Sequence, residues 1–335
     1  MDLTLARTSD DLLLLATVAY SVALVALTVE WAFGDRGRVG RTASALTAAA
    51  RVPVAAGAVG AGGAGAPPAR LDVPVQPERG TLAARAGAVG VALTGVGWVV
   101  HLASLVTRGV AVERVPWANM YEFSSATAFV AVSAYGVLLL RRYPVRHLGA
   151  FVLLPVVVAL GVAATYLYAE AGPLVPALQS GWLPIHVTAA VLAFGVFGLA
   201  AVLQLLFLLR DRWETRAAAA GGVASGLGAR LPGSLRLDRL SYRVVAVGFP
   251  IWTFAIIAGA VWAREAWTRP WAWDPKEVWS FVSWVLYAAY LHARATAGWR
   301  GRRAAVVGLV AFGSMLFNYF AVNILFSGLH SYGGV

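Results

Sequence analysis

The segment Trp271-Ala272-Trp273-Asp274-Pro275-Lys276-Glu277-Val278-Trp279-Ser280-Phe281 sets indoles, a cation and two carboxylates between two long apolar runs. Three of the chain's 13 tryptophans fall within nine residues there, and Trp262, Trp267 and Trp284 lie on either side. Lys276 is the only lysine in a chain whose other basic residues are all arginine, so a single compact ammonium has been placed inside the tryptophan cluster. Flat, amphipathic indole faces suit a large planar apolar ligand with polar edges, of which a porphyrin is one example. The plainer alternative is an aromatic belt at a membrane interface. Asp274, Pro275 and Glu277 also have a structural reading, because Asp at the N-cap, Pro at N1 and Glu at N3 form a capping box that opens a helix.

Five histidines accompany this cluster. His186 follows Trp182-Leu183-Pro184 at the start of one apolar run, and His330 follows the last run in Gly328-Leu329-His330-Ser331-Tyr332. Both are expected at the membrane level of the tryptophans. Two imidazoles flanking an aromatic platform are what bis-axial ligation of haem iron requires. His292 stands apart, about 15 residues into the seventh run and so over 20 Å from the tryptophan level at roughly 1.5 Å per residue. Helical spacing puts it on one face with Phe281, Trp284 and Ala288. An ionisable group inside a span is a functional candidate, here again an iron ligand, and the competing reading is snorkelling to the near interface. His101 is read as a packing residue and His147 as a solvated one.

The elements that must position these groups are long and apolar. The chain is 59% hydrophobic and 13% charged, and its runs of roughly 18 to 24 apolar residues are long enough to cross a bilayer as helices. Eight are expected: Leu12 to Phe33, Ala86 to Val106, Phe123 to Leu140, Leu148 to Tyr168, His186 to Leu209, Val244 to Ala263, Val278 to Ala293 and Ala304 to Phe326. The fold class is therefore all-α integral membrane protein. The first run is too long, and lacks the basic leader, for a cleavable signal peptide.

Arginine distribution sets the orientation, since cytoplasmic loops near spans are enriched in basic residues. With both termini extracytoplasmic, 21 of the 27 basic residues lie inside, leaving Arg7, Arg108, Arg114, Arg264, Arg269 and Lys276 outside. The net charge of +11 is then a topology signal; the arginines are scattered over four loops and form no nucleic-acid patch. The organisation reads as a first span within residues 1–33, an Ala/Gly/Pro-rich cytoplasmic linker over 34–85, spans two to five within 86–210, a cytoplasmic loop over 211–243, and spans six to eight within 244–335. The absence of cysteine excludes a thiolate site within the chain, so thiol chemistry would belong to a partner.

Taken together, Trp-x-Trp-Asp-Pro-Lys-Glu-x-Trp, Tyr290-Leu291-His292-Ala293-Arg294 and the later Gly-Leu-His-Ser-Tyr resemble the CcsA/ResC family, the System II branch of the haem-handling membrane proteins of c-type cytochrome biogenesis. The likeness runs from Trp182 to the C-terminus, with Pro116 to Glu122 as an upstream match, and the tryptophan-rich loop, about residues 262–284, corresponds to the "WWD" domain. Thr268-Arg269-Pro270 departs from the Gly-containing spacing usual there. The resemblance implies that His186 and His330 are external axial ligands and His292 an intramembrane one. It implies a cofactor-binding surface of Trp267, Trp271, Trp273, Asp274, Pro275, Lys276, Glu277, Trp279 and Trp284. It further implies that haem b is carried across the cytoplasmic membrane with a CcsB/ResB partner, within a cytochrome c synthase complex, and meets the reduced CxxCH thiols of apocytochrome c, with thiol-reducing proteins nearby. System I CcmC-like delivery is the related alternative, and a cytochrome b-like electron-transfer subunit or a haem-free transporter the unrelated ones.

Overall fold

The computed structural model describes residues 2–34, 78–141, 143, 145–174, 176–222, 230–296 and 298–330. Most of the expected 34–85 linker, residues 35–77, lies outside them. Eight long helices follow in order: α1 Leu3–Phe33, α2 Glu78–Val112, α3 Met120–Leu140, α4 Gly149–Tyr166, α5 Trp182–Ala219, α6 Ser234–Trp267, α7 Pro275–Ala295 and α8 Arg302–Tyr319, with a short α9 Ala321–Leu325. The chain is an all-α integral membrane protein. Among the described residues seven helices are long and apolar enough to cross a membrane; α7 is not one of them. Its 21 residues include Lys276, Glu277, His292 and Arg294, which hold its hydropathy below that of its neighbours.

Local chemistry explains the helix starts. The Asp2 side chain accepts from the amides of Thr4 and Leu5 at 2.8 and 3.1 Å, so α1 begins nine residues before its apolar run. Asn119 caps α3 through the Glu122 amide at 2.8 Å. At α7 the expected capping box forms: Asp274 accepts from the Lys276 amide at 3.0 Å, and Glu277 accepts from the Asp274 amide at 3.1 Å. Each cap satisfies amide donors that a helix leaves unpaired.

The chain pairs into antiparallel hairpins, α1 with α2, α5 with α6 and α7 with α8, while α3 and α4 join the first hairpin to the second. One buried cluster binds α1, α3 and α4 around Tyr20, Leu27, Leu153 and Leu160. A larger one joins α5 to α8 around Phe197, Leu203, Val245 and Tyr287. Close approach is visible at Gly248, where an added Cβ would stand 2.8 Å from the Phe197 ring; that ring in turn stacks on Tyr287 at 3.7 Å. Such small-residue contacts let membrane helices pack by dispersion rather than by hydrophobic drive. Apolar side chains left exposed, such as Leu14, Val25, Val96 and Ile257, form the lipid-facing surface.

Two expectations change. The 211–243 segment is mostly helix, because α5 continues to Ala219 and α6 starts at Ser234; the Arg210–Glu214 pair at 2.6 Å and Ser234, bonded to the same carboxylate, tie these extensions together. His147, read as solvated, is only 9% exposed, since it sits in a 3-10 turn, Arg146–Leu148, whose Leu148 anchors the core.

Candidate functional site

One end of the bundle holds a half-open cavity of about 220 Å³. Its walls come from the α3 approach (Trp117, Asn119, Phe123), the start of α5 (His186), α6 (Trp252, Gly259, Trp262), the α6–α7 loop and first turn of α7 (Trp271, Lys276, Glu277), α8 and α9 (Asn318, Tyr319, Asn323), and the following segment (His330). His186 and His330, 144 positions apart in the chain, thus face one space.

Each imidazole is held by its δ nitrogen. His186 Nδ1 lies 2.7 Å from the carbonyl oxygen of Ala255 on α6. A carbonyl only accepts, so Nδ1 carries the proton and the Nε2 lone pair remains for a metal. His330 Nδ1 lies 3.0 Å from Asp274 Oδ1, which fixes the same tautomer by a carboxylate. Room for the His186 ring is made by Gly259, whose hypothetical Cβ would come within 2.7 Å of His186 Cε1. Trp262, 2% exposed, stands beside both rings, 6.0 Å from His186 with the planes 5° apart and 5.8 Å from His330.

Asp274 does two jobs at once. Its Oδ1 caps α7 and receives His330, while Oδ2 accepts from the Leu329 amide at 2.6 Å. The segment after α9 is thereby clamped onto the start of α7. Burial pushes the Asp274 carboxyl up, but the hydrogen bond and charge of His330 and the amides of Lys276 and Leu329 outweigh it and hold the group below its ordinary value. Glu277, 8% exposed, spends Oε2 on the amides of Ala272 and Asp274 at 2.8 and 3.1 Å.

The tryptophans divide by position. Trp262 and Trp271 line the cavity. Trp267 supports it from behind, 4.8 Å from both Trp262 and His330. Trp273 is 68% exposed and meets Trp271 edge to face at 5.8 Å. Trp279 packs on Phe317 at 4.2 Å, and Trp284 donates to Thr253 at 2.9 Å; neither borders the cavity. Pro275 opens α7 at N1. Thr268 ends α6 with φ 62°, a left-handed position that glycine occupies at lower cost.

His292 is not brought to the cavity. It is exposed near the far end of α7, on a stripe with Phe281 and Val285, while Trp284 turns towards α6. Close to it, Arg294 pairs with Asp238 of α6 at 2.6 Å and lies over the rings of Tyr242 and Tyr290. His101 is fully buried between Tyr20 and Ser125, as a packing residue would be.

Several cavity residues were not anticipated. Trp252, Gly259, Asn318 and Asn323 sit inside apolar runs; the two asparagines carried the clearest signal, as polar groups within a span. Behind Trp117 to Phe123 lies an ion network. Glu122, 2% exposed, accepts from Arg108 at 3.1 Å, Arg114 at 2.7 Å and the Ala118 amide at 2.9 Å. Arg108 also reaches Asp10 of α1 at 3.2 Å.

A multi-pass helical membrane protein with an indole-walled, two-imidazole cleft at one end of its bundle is the class these observations define. Comparison narrows it. Residues 117–330 match the family model described as Cytochrome C assembly protein. The chain is 36% identical over 312 residues to the cytochrome c biogenesis protein CcsA of Gloeobacter violaceus, covering 78% of this chain and 88% of that protein. It is 36% identical over 272 residues to CcsA of a Synechococcus species (74% and 88%) and 34% identical over 237 residues to CcsA of Mesostigma viride (65% and 77%). The chain belongs to the cytochrome c assembly protein family, and the resemblance to CcsA read from its motifs holds. It is a membrane protein of cytochrome c biogenesis, a process that handles haem.

Proposed function

We propose that the cleft receives haem b as cargo, with His186 and His330 as axial ligands, and presents it on the extracytoplasmic side for attachment to apocytochrome c. The convergence of two δ-tethered imidazoles on one aromatic cavity carries this reading. At 220 Å³ the cleft is smaller than the roughly 300–1,000 Å³ of ligand clefts and cavities in general, so a porphyrin extends through its open side. That exposure suits presentation to another protein. When a CxxCH thiol adds across a vinyl group, sulfur bonds one vinyl carbon and the proton goes to the other, so the step needs reduced thiols and no oxidant. This chain, without cysteine, acts as the platform: it holds the iron and orients the ring.

Delivery from the cytoplasmic side is assigned to the α7 face bearing His292. An exposed histidine on an apolar stripe suits a ligand shared with a second membrane protein, for which a CcsB/ResB subunit is the proposed partner. The proposed location is the cytoplasmic membrane, with α7 as the eighth span and the cleft outside.

The test is the absorption spectrum of the purified protein beside His186→Ala and His330→Ala. The expected result is b-type haem in the wild type, loss in each variant and recovery on adding imidazole. Equal haem loading of all three proteins would remove these histidines as ligands, and a haem-free wild type, even with the partner co-expressed, would remove the function.

A further inference from the structure

Several residues that border the cavity carry polar atoms with no hydrogen-bond partner, but those atoms are buried behind its surface. The indole N–H groups of Trp117, Trp252 and Trp262 are buried with no partner among the described residues. Against them stand two unpartnered acceptors, Oδ1 of Asn318 and Oδ1 of Asn323. Those amides are oriented by their other ends, since Asn318 Nδ2 donates to the Lys276 carbonyl at 3.2 Å and Asn323 Nδ2 to the Tyr319 carbonyl at 2.7 Å. Lys276 is different, because it brings a positive charge to the cavity wall. It borders both this cavity and a smaller one behind it, lined by Asp274, Asn323 and His330.

Among the described residues no carboxylate oxygen lies within 4.0 Å of the Lys276 ammonium. Of its sequence neighbours, Asp274 acts on it only through space and gives its hydrogen bonds to His330, Leu329 and the helix cap, while Glu277 gives its own to the amides of Ala272 and Asp274. An ammonium at such a place is costly unless an opposite charge arrives. The ammonium at the cavity wall says what the arriving group must offer: negative charge on an acceptor atom.

We propose that Lys276 is the carboxylate-binding residue of the cleft, pairing with a propionate side chain of the bound porphyrin. The inference rests on the haem reading above and adds an orientation to it. Two axial imidazoles hold the iron but leave the ring free to turn about the axis through them. A carboxylate anchored at Lys276 stops that turning. In haem b the vinyl groups lie on the edge away from the propionates, so the anchor also decides where the vinyl edge points. A compact ammonium pairs with one carboxylate oxygen without demanding the planar two-pronged geometry of a guanidinium.

The experiment titrates the detergent-purified protein with haemin and with haemin dimethyl ester, which lacks the propionate charges, and follows the six-coordinate bis-imidazole spectrum. The wild type should bind haemin roughly tenfold or more tighter than the ester, the scale of a charged hydrogen bond. Lys276→Gln should lose the preference while still giving the bis-imidazole spectrum, the sign that the cleft is intact, and Lys276→Arg should recover part of the preference. A wild type that does not distinguish the two porphyrins overturns the proposal without any variant, as does a Lys276→Gln protein that keeps the full preference. If neither porphyrin gives the bis-imidazole spectrum on the wild type, the haem reading itself falls and the role of Lys276 with it.

Discussion

His186 and His330 are held by chemically unequal supports, a backbone carbonyl and a carboxylate. A carboxylate behind an imidazole raises its donor strength, and its loss typically weakens a metal site by about 10- to 100-fold. Asp274→Asn should therefore lower haem affinity by about that factor through the His330 side, visible as haem loss that added imidazole reverses; unchanged affinity would leave Asp274 a helix cap only. The same carboxyl gives a pH dependence. Its folded value lies below its ordinary one, so its contribution to holding the His330 segment is complete above the ordinary value, about 4, and fades as pH falls through the lower folded value. Tryptophan fluorescence of the cleft should change as the pH falls below about 4, and that low-pH change should vanish in Asp274→Asn. Gly259→Ala is the complementary test on the other imidazole. Its Cβ would collide with the His186 ring, so the His186-dependent part of the haem spectrum should be lost while the helices remain. At this scale the sequence was informative wherever a residue was unusual in its surroundings, as His186, His330 and the lone Lys276 were. Trp252 and Gly259 could not be found that way, because an indole or a glycine in an apolar run looks the same whether it faces lipid or a cavity.

Helix existence was legible and helix extent was not. All eight apolar runs are helices, because a bilayer leaves the backbone no other way to pair its amides within one segment. The ends moved outward for reasons local to each: Asp2 caps α1 early, and Ala217, Ala218 and Ala219 carry α5 beyond the membrane-like run. Which face of each helix turns inward depends on partners, and a helix apolar all round carries no stripe to read. The loop before α3 illustrates the point. Its sequence offered only a weak match, yet Glu122 with Arg108 and Arg114 fixes the wall that Trp117 and Phe123 present. Removing one partner of a buried ion network costs on the order of 3–5 kcal/mol. Glu122→Ala is expected to lower the melting temperature of the solubilised protein by several degrees and to reduce haem retention, whereas a conservative change at exposed Glu170 should do neither. An unshifted melting curve for Glu122→Ala would show that the network is dispensable.

For the molecule as a whole, the cleft gathers the start of α5, the start of α7 and the segment after α9 at one end of the bundle, and His292 and the Asp238–Arg294 pair lie towards the other. The proposed topology, drawn from the arginine pattern, puts the cleft end outside. Because the chain has no cysteine, single introduced thiols report their side without background: Glu170→Cys should react with an impermeant maleimide added to intact cells and Thr296→Cys only after the membrane is opened. The reverse pattern would invert the topology and place the cleft in the cytoplasm. The clamp of Asp274 on Leu329 and His330 bears on biosynthesis as well. A chain leaving the ribosome N-terminus first delivers the helix bearing His186, and then the tryptophan loop, before residue 330 reaches the membrane. Under the proposed ligation, a partly made or mispacked chain has His186 but no second imidazole and cannot close around the iron. Cargo loading would then wait for the last helix to seat, and occupancy of the cleft would itself certify that assembly in the membrane is complete.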